Sequence, residues 1–124
     1  MSSERFGKAR RVRRRDEFQR VFDRSQRAKG QYMTVLLAPN DAGRLRLGIV
    51  ASRKLGDSVR RNRAKRLIRE VFRRSDLLPG KSLDVVIIPR RELFDAAYAS
   101  LESDFRATVQ RCAARLFATA DVSR

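Results

Sequence analysis

Between Arg53 and Arg74 ten residues are arginine or lysine and two, Asp57 and Glu70, are acidic. Arginine dominates the set. A planar guanidinium can hold a phosphate through two hydrogen bonds and can also stack on a base. This density of arginine therefore points to polyphosphate, and to folded or single-stranded RNA rather than a diffuse cation cloud. Spacing sharpens the point. At about 100° per residue, Ala64, Leu67, Ile68, Val71 and Phe72 share an arc of about 140°. Asn62, Arg63, Lys65, Arg66, Arg69 and Arg73 occupy the opposite arc. A merely solvated face mixes signs, with acid–base pairs worth a few tenths of a kcal/mol each. Arg60, Arg61 and Arg63 moreover lie in the first two turns, where cations oppose the helix dipole by roughly 0.3–1 kcal/mol each. A sequence that accepts this cost is built to meet an anion.

Other chemistries are poorly supplied. The 124 residues contain no histidine, so histidine bases and histidine metal ligands are excluded. The single cysteine, Cys112, cannot form an internal disulfide and is expected to be a small core residue. Acids are scattered without the paired spacing of two-metal catalysis. No catalytic residue and no metal ligand is expected on the chain itself.

The net charge of +16 has a marked distribution. Residues 1–15 hold seven basic and one acidic residue; residues 16–52 hold six and four; residues 53–74 hold ten and two; residues 75–124 hold seven of each. With a sequence pI of about 11.6, the chain carries a usual footprint of nucleic-acid binding. No apolar run approaches the roughly 20 residues needed to cross a bilayer, and Met1–Arg15 lacks the apolar stretch of a signal peptide. A soluble cytoplasmic protein is expected.

The elements that must position the cations can be read coarsely. Phe18, Val21 and Phe22 mark a short amphipathic helix over Asp16–Arg24, with Asp16 as N-cap. A short strand is expected near Ser25–Lys29, then Gln31–Ala38 as a strand ending at Pro39. Asn40–Gly43 has hairpin-turn composition and leads to a further strand over Arg44–Ser52. Gly56-Asp57-Ser58 supplies a turn and cap before the central helix Ser58–Arg74. Leu83–Ile88 reads as a strand buried on both faces. Asp95–Ala118 repeats apolar residues at Ala97, Leu101, Phe105, Val109, Ala113 and Leu116/Phe117, a one-faced helix. One domain over 16–119 is expected, with a basic arm over 1–15 and a frayed tail over 120–124.

The run Arg61-Asn62-Arg63-Ala64-Lys65-Arg66-Leu67-Ile68-Arg69-Glu70 resembles the RNR motif of the bacterial ribonuclease P protein family. Leu47–Lys54, Asp16–Phe22 and Leu83–Arg90 resemble that family's other segments in order and spacing, so nearly the whole chain is covered. The resemblance implies an α+β fold, an α-β-β-β-α-β-α two-layer sandwich. It would be similar to the second domain of a small-subunit ribosomal protein and to a domain of elongation factor G. A left-handed β-α-β crossover through the central helix is also implied, against the usual right-handed rule. The implied function is that of a protein subunit of ribonuclease P, which removes the 5′ leader of precursor tRNA. The catalytic RNA would carry the reaction and hold Mg2+, with no cofactor bound by the protein alone.

By the same resemblance, Arg61, Asn62, Arg63, Lys65, Arg66 and Arg69 match the motif helix, Arg53 and Lys54 match a basic loop, and Arg60 and Arg73 extend the RNA-binding set. A cleft between the first helix and the sheet would hold the single-stranded leader, with Phe18, Phe22, Tyr32 and Arg90 as lining candidates. For Phe18 and Phe22 a core role is equally open. The arm Arg10–Arg15 reads either as a disordered tail making non-specific phosphate contacts or as an ordered contact. Sulfate or phosphate is expected to bind the free protein. Two other classes compete: a non-catalytic RNA-binding module such as a ribosomal protein, and, more weakly, a stand-alone nuclease.

Overall fold

A computed structural model describes residues 11–12, 15–76 and 81–122, with side chains through residue 118. Its elements are α1 (Arg15–Arg24), β1 (Gln26–Lys29), β2 (Met33–Pro39), β3 (Arg46–Ile49), α2 (Ser58–Ser75), β4 (Leu83–Pro89) and α3 (Tyr98–Val122), with 3-10 turns at Arg53–Leu55 and Arg91–Asp95. The order is the α-β-β-β-α-β-α series that the sequence implies.

The four strands form one mixed sheet in the order β1-β2-β4-β3. β2 is antiparallel to β1 and to β4, whereas β3 runs parallel to β4, with Leu47 opposite Val85 and Ile49 opposite Ile87. β4 is central because its residues are apolar on both faces. Val85, Val86 and Ile87 are fully buried, each contributing roughly 1.5–3 kcal/mol. One face of the sheet carries Met33, Val35, Leu37, Val85 and Ile87 against α2 and α3. The other carries Leu36, Ala38 and Val86 against Val21 of α1. α2 contributes Ala64, Ile68, Val71 and Phe72 to the larger core, and α3 contributes Leu101, Phe105, Val109, Ala113 and Leu116. Cys112 is buried there too. Its thiol donates to the Gln26 carbonyl at 3.1 Å, and burial pushes its pKa up, which keeps it protonated.

Several expectations need correction. The turn at residues 40–43 does close on itself: the Asn40 side chain accepts from Ala42 N at 3.0 Å and donates to the Arg44 carbonyl at 3.1 Å, and Gly43 takes φ 75°. Yet β2 and β3 do not pair, because β4 inserts between them. Turn chemistry is local, and the need to bury both faces of β4 decides the neighbours. α1 begins at Arg15, so Asp16 lies in the first turn instead of capping it. α3 begins at Tyr98, after the 3-10 turn, and Ala97 is exposed at its start. At the other end the α3 backbone continues to Val122; residues 123–124 of the expected tail, and residues 1–10, 13 and 14 of the expected arm, lie outside the described residues.

One ionic group ties α1 to the sheet. Asp84, at the start of β4, has a side chain only 3% exposed. It accepts two hydrogen bonds from Arg46 of β3, at 2.8 and 2.9 Å, and one from Asn40 Nδ2 at 2.7 Å. Arg46 also donates to Glu17 of α1 at 2.9 Å. The hydrogen bond to Asp84 pushes the Arg46 pKa well above its usual range, so the guanidinium stays charged. Asp84→Ala would strand the half-buried guanidinium and should cost about 3–5 kcal/mol in urea unfolding. Combining Asp84→Leu with Arg46→Leu should recover part of that loss; no recovery would mean the site depends on the charges themselves.

Candidate RNA interface

The cations of α2 are set by its two ends. Asp57 caps the helix, accepting from Arg60 N at 3.0 Å, which uses up the acid nearest the first turn. Glu70 is engaged by Arg73 at 2.8 Å and by Arg74 at 2.7 Å, and the hydrogen bond from Arg73 holds its carboxyl below the usual range. Both acids of the segment are thus committed. Among the described residues no ion pair reaches Arg60, Arg61, Arg63, Lys65, Arg66 or Arg69. Asn62, Arg63, Arg66 and Arg73 are exposed, as are Arg53 and Lys54 on the preceding 3-10 turn. All ten residues expected to bind RNA therefore lie on α2 and the loop before it. Arg73 differs from the others in having an acidic partner.

The stripe is wider than one arc. Arg60 and Arg61 lie on the side of the helix that further along faces the core, one turn before the buried Ala64. Arg60 and Arg63 approach the Phe94 ring, at 5.8 and 5.9 Å from its centroid. Together with Arg91, Glu92 and Asp95 these residues line a pocket of about 540 Å³. On the other flank Arg61, Asn62 and Lys65 line a smaller one of about 210 Å³ with Ala51 and Ser58. Arg61 Nε is buried without a hydrogen-bond partner among the described residues, a donor that an incoming acceptor would satisfy.

Lys65 continues into a third pocket, of about 260 Å³, with Arg11, Val12, Phe18, Leu47, Gly48, Ile49 and Arg69. Here the end of the basic arm is fixed: Val12 N donates to the Leu47 carbonyl at 2.9 Å, and Arg11 bridges Leu47 in parallel along the free edge of β3. Arg69 is half-buried, and burial, followed by the nearby Arg11, lowers its pKa.

The four cleft candidates separate. Phe18 is half-buried: its ring packs on Gly48, and it faces the cations Lys65 and Arg69 across the pocket. Phe22 is 38% exposed at the far end of α1. Tyr32 packs instead against the core shared with α2 and α3, and its backbone N donates to Asp104 of α3 at 2.9 Å. The first β2 residue on the α1 face is Thr34, opposite Ile88 and in line with Leu36 and Ala38. Arg90 clasps the β1–β2 turn, donating to the carbonyls of Gly30 and Met33 and to Thr34 Oγ1 at 2.8 Å. The structure thus brings Phe18 and Phe22 together on one helix, and leaves Tyr32 and Arg90 in framework roles beside them. Sequence reasoning missed Gly48, Phe94 and the Asp84–Arg46–Glu17 group. An isolated Phe in the run Arg91–Asp95 carries no periodic signal.

Comparison with known proteins agrees with this arrangement. The family model described as Ribonuclease P matches residues 6–113. A curated relative, the ribonuclease P protein component of Thermotoga petrophila, is 40% identical over 91 residues, covering 73% of this chain and 78% of its own. The solved ribonuclease P protein of Thermotoga maritima superposes with a TM-score of 0.72 at 33% identity, covering 82% of this chain and 96% of its own. That of Staphylococcus aureus gives 0.73 at 28%, covering 83% and 94%.

Gly48 generates a direct test of the third pocket. A Cβ there would lie 2.8 Å from Phe18 Cε1 and 3.0 Å from Val12 Cβ. Gly48→Ala should therefore cost about 1–3 kcal/mol in thermal or urea unfolding. Limited proteolysis should show the chain cut faster before α1. Unchanged stability and cleavage would mean that Phe18 and the arm are not seated on β3.

Proposed function

This chain belongs to the ribonuclease P protein family, and from that membership we infer that its bare cations dock on the RNA of the ribonucleoprotein. The chain is a protein component of ribonuclease P, the ribonucleoprotein endoribonuclease of tRNA 5′ maturation. Its partners are the ribonuclease P RNA and precursor tRNA. The observation that carries the docking reading is electrostatic. Six cations of α2, from Arg60 to Arg69, lack an ion pair among the described residues, while Asp57 caps the helix and Glu70 is engaged by Arg73 and Arg74.

In this reading Arg60, Arg61, Asn62, Arg63, Lys65, Arg66 and Arg69, with Arg53 and Lys54, contact phosphates of the catalytic RNA, and Arg73 contributes at the margin. Each bound phosphate releases counterions. Cations beside the RNA also lower its repulsion with the substrate. The RNA holds Mg2+ and carries the reaction, and the protein supplies position and charge. Sulfate or phosphate would occupy the same cations in the free protein. Among the described residues no three Asp, Glu, His or Cys side chains stand close enough to hold a metal. The 5′ leader would lie on the α1 face, with an unpaired base on the exposed ring of Phe22 and the phosphates led toward Phe18, Lys65 and Arg69.

Reconstitution tests the reading. Precursor tRNA should be cleaved at low Mg2+ when protein and ribonuclease P RNA are combined, and by neither alone. Replacing Arg63, Lys65, Arg66 and Arg69 with glutamine should weaken RNA binding and flatten its log–log salt dependence by roughly 0.7–0.9 for each phosphate no longer neutralised. An unchanged slope sinks the docking face, and cleavage by the protein alone would revive a stand-alone nuclease. For the leader, Phe22→Leu keeps the fold because the ring is exposed. It should reduce affinity for precursor relative to mature tRNA by about 1–3 kcal/mol; an equal effect on both would remove Phe22 from the leader path.

A further inference from the structure

We propose that the pocket between the start of α2 and the 3-10 turn after β4 is a site for one unpaired ribonucleotide, with Phe94 as the stacking platform and Arg91 as a phosphate ligand. The site rests on the RNA-docking reading but engages residues that the cationic helix face does not include. Three observations converge on it.

The first is topological. β3 and β4 are the parallel pair of the sheet, so both carboxyl ends open on the same rim. The chain leaving β3 gives the Arg53–Leu55 turn and the first turn of α2, and the chain leaving β4 gives Arg91–Asp95. Crevices at the carboxyl ends of parallel strands are where open sheets place their ligands, and the pocket of about 540 Å³ lies between these two connections.

The second is chemical. Arg60, Arg63 and Arg91 line the pocket with Phe94, which is half-buried and fixed against the core. The Arg60 and Arg63 guanidiniums lie 5.8 and 5.9 Å from the ring centroid, at the outer limit of a cation–π contact. Gly56 makes room for this arrangement. A Cβ there would lie 2.7 Å from Arg60 Cδ, and its φ of 128° suits glycine. A flat ring flanked by cations matches a base with its phosphates attached.

The third is the acids. Glu92 and Asp95 line the same pocket, yet neither forms an ion pair with its three arginines. A pocket for bare phosphate gains nothing from carboxylates. A nucleotide does, because its ribose 2′-hydroxyl and exocyclic amines are donors. Carboxylate acceptors beside phosphate-binding arginines therefore favour RNA over inorganic anions and over DNA.

The test uses the full chain with its cognate ribonuclease P RNA. Phe94→Leu preserves apolar packing and removes the ring; circular dichroism and the melting temperature confirm the fold. Affinity for the RNA should fall about 5- to 150-fold, the span of base stacking, with the salt slope unchanged. In 2′-hydroxyl acylation footprinting, one unpaired nucleotide protected by the unmodified protein should become reactive with Phe94→Leu, while the rest of the footprint persists. Arg91→Gln should lower the slope, and Asp95→Asn should narrow the preference for oligouridylate over oligodeoxythymidylate. If folded Phe94→Leu binds and protects like the unmodified protein, the pocket proposal is overturned with RNA docking intact. If the unmodified protein does not bind the RNA at all, the docking reading fails first.

Discussion

The parallel alignment of β3 on β4 is the constraint from which the interface follows. Two parallel neighbours require a crossover, and α2 is that crossover, so its start must lie at the rim where β3 ends. Because β4 must be buried on both faces, it takes the middle of the sheet and leaves β3 at an edge. That edge is closed by the arm at Val12 and Leu47. Three features then meet around one strand: the first turns of a cationic helix, the carboxyl rim of the parallel pair, and a short α1 on the opposite face. A hairpin between β2 and β3 would have broken this arrangement by moving the start of α2 away from the end of β4.

The distribution of acids completes the picture. Asp84 and Glu17 fix Arg46, and so tie α1 to the sheet. Asp104 accepts from the backbone N–H groups of Gln31 and Tyr32, at 2.9 Å each, and ties α3 to the β1–β2 turn. Asp57 caps α2, and Glu70 settles Arg73 and Arg74. Each of these carboxylates holds the architecture, and none is placed against the first half of the α2 stripe. Like charge therefore accumulates along this stripe, and burial, followed by the nearby Arg11, lowers the pKa of Arg69. In the proposed function, a bound polyanion would relieve this repulsion.

Much of this was legible in the sequence because it follows from periodicity. The apolar arc of α2 (Ala64, Ile68, Val71, Phe72) and that of α3 from Leu101 to Leu116 are buried as their spacing requires. The doubly buried strand over residues 83–88 was equally clear. Pairing was less so: Asn40–Gly43 announces a turn, but a turn does not say which strands will be neighbours. Asp84 was hidden for a related reason. It sits in an otherwise apolar strand, and its partners Arg46 and Glu17 are distant in sequence. Tyr32 was a cleft candidate by resemblance and Arg90 by its place after β4; the Tyr32 side chain packs on the larger core, and that of Arg90 donates to Thr34 of β2. Charge composition pointed to the stripe, including Arg60 and Arg61, whereas the approach of Arg60 and Arg63 to Phe94 appears only in three dimensions.

The three pockets lie on different flanks of α2, so they present cations in directions that a single helix face could not. Arg61 and Lys65 lie on the flank of α2 toward the arm, and Lys65 lines both smaller pockets. Cationic surface therefore continues around the β3 edge from the stripe to Phe18. Arg60 and Arg63 lie on the other flank, toward Phe94. In the proposed function, the side toward α1 meets the substrate leader and the side toward Phe94 meets the ribozyme, with the outward arc between them. Phosphates along this path would be within about one Debye length of cations on either flank at physiological salt. Occupying one flank would then raise the local anion density for the other. Substrate and ribozyme would then influence each other's binding through the cations they share across the width of α2, about 10–12 Å with its side chains.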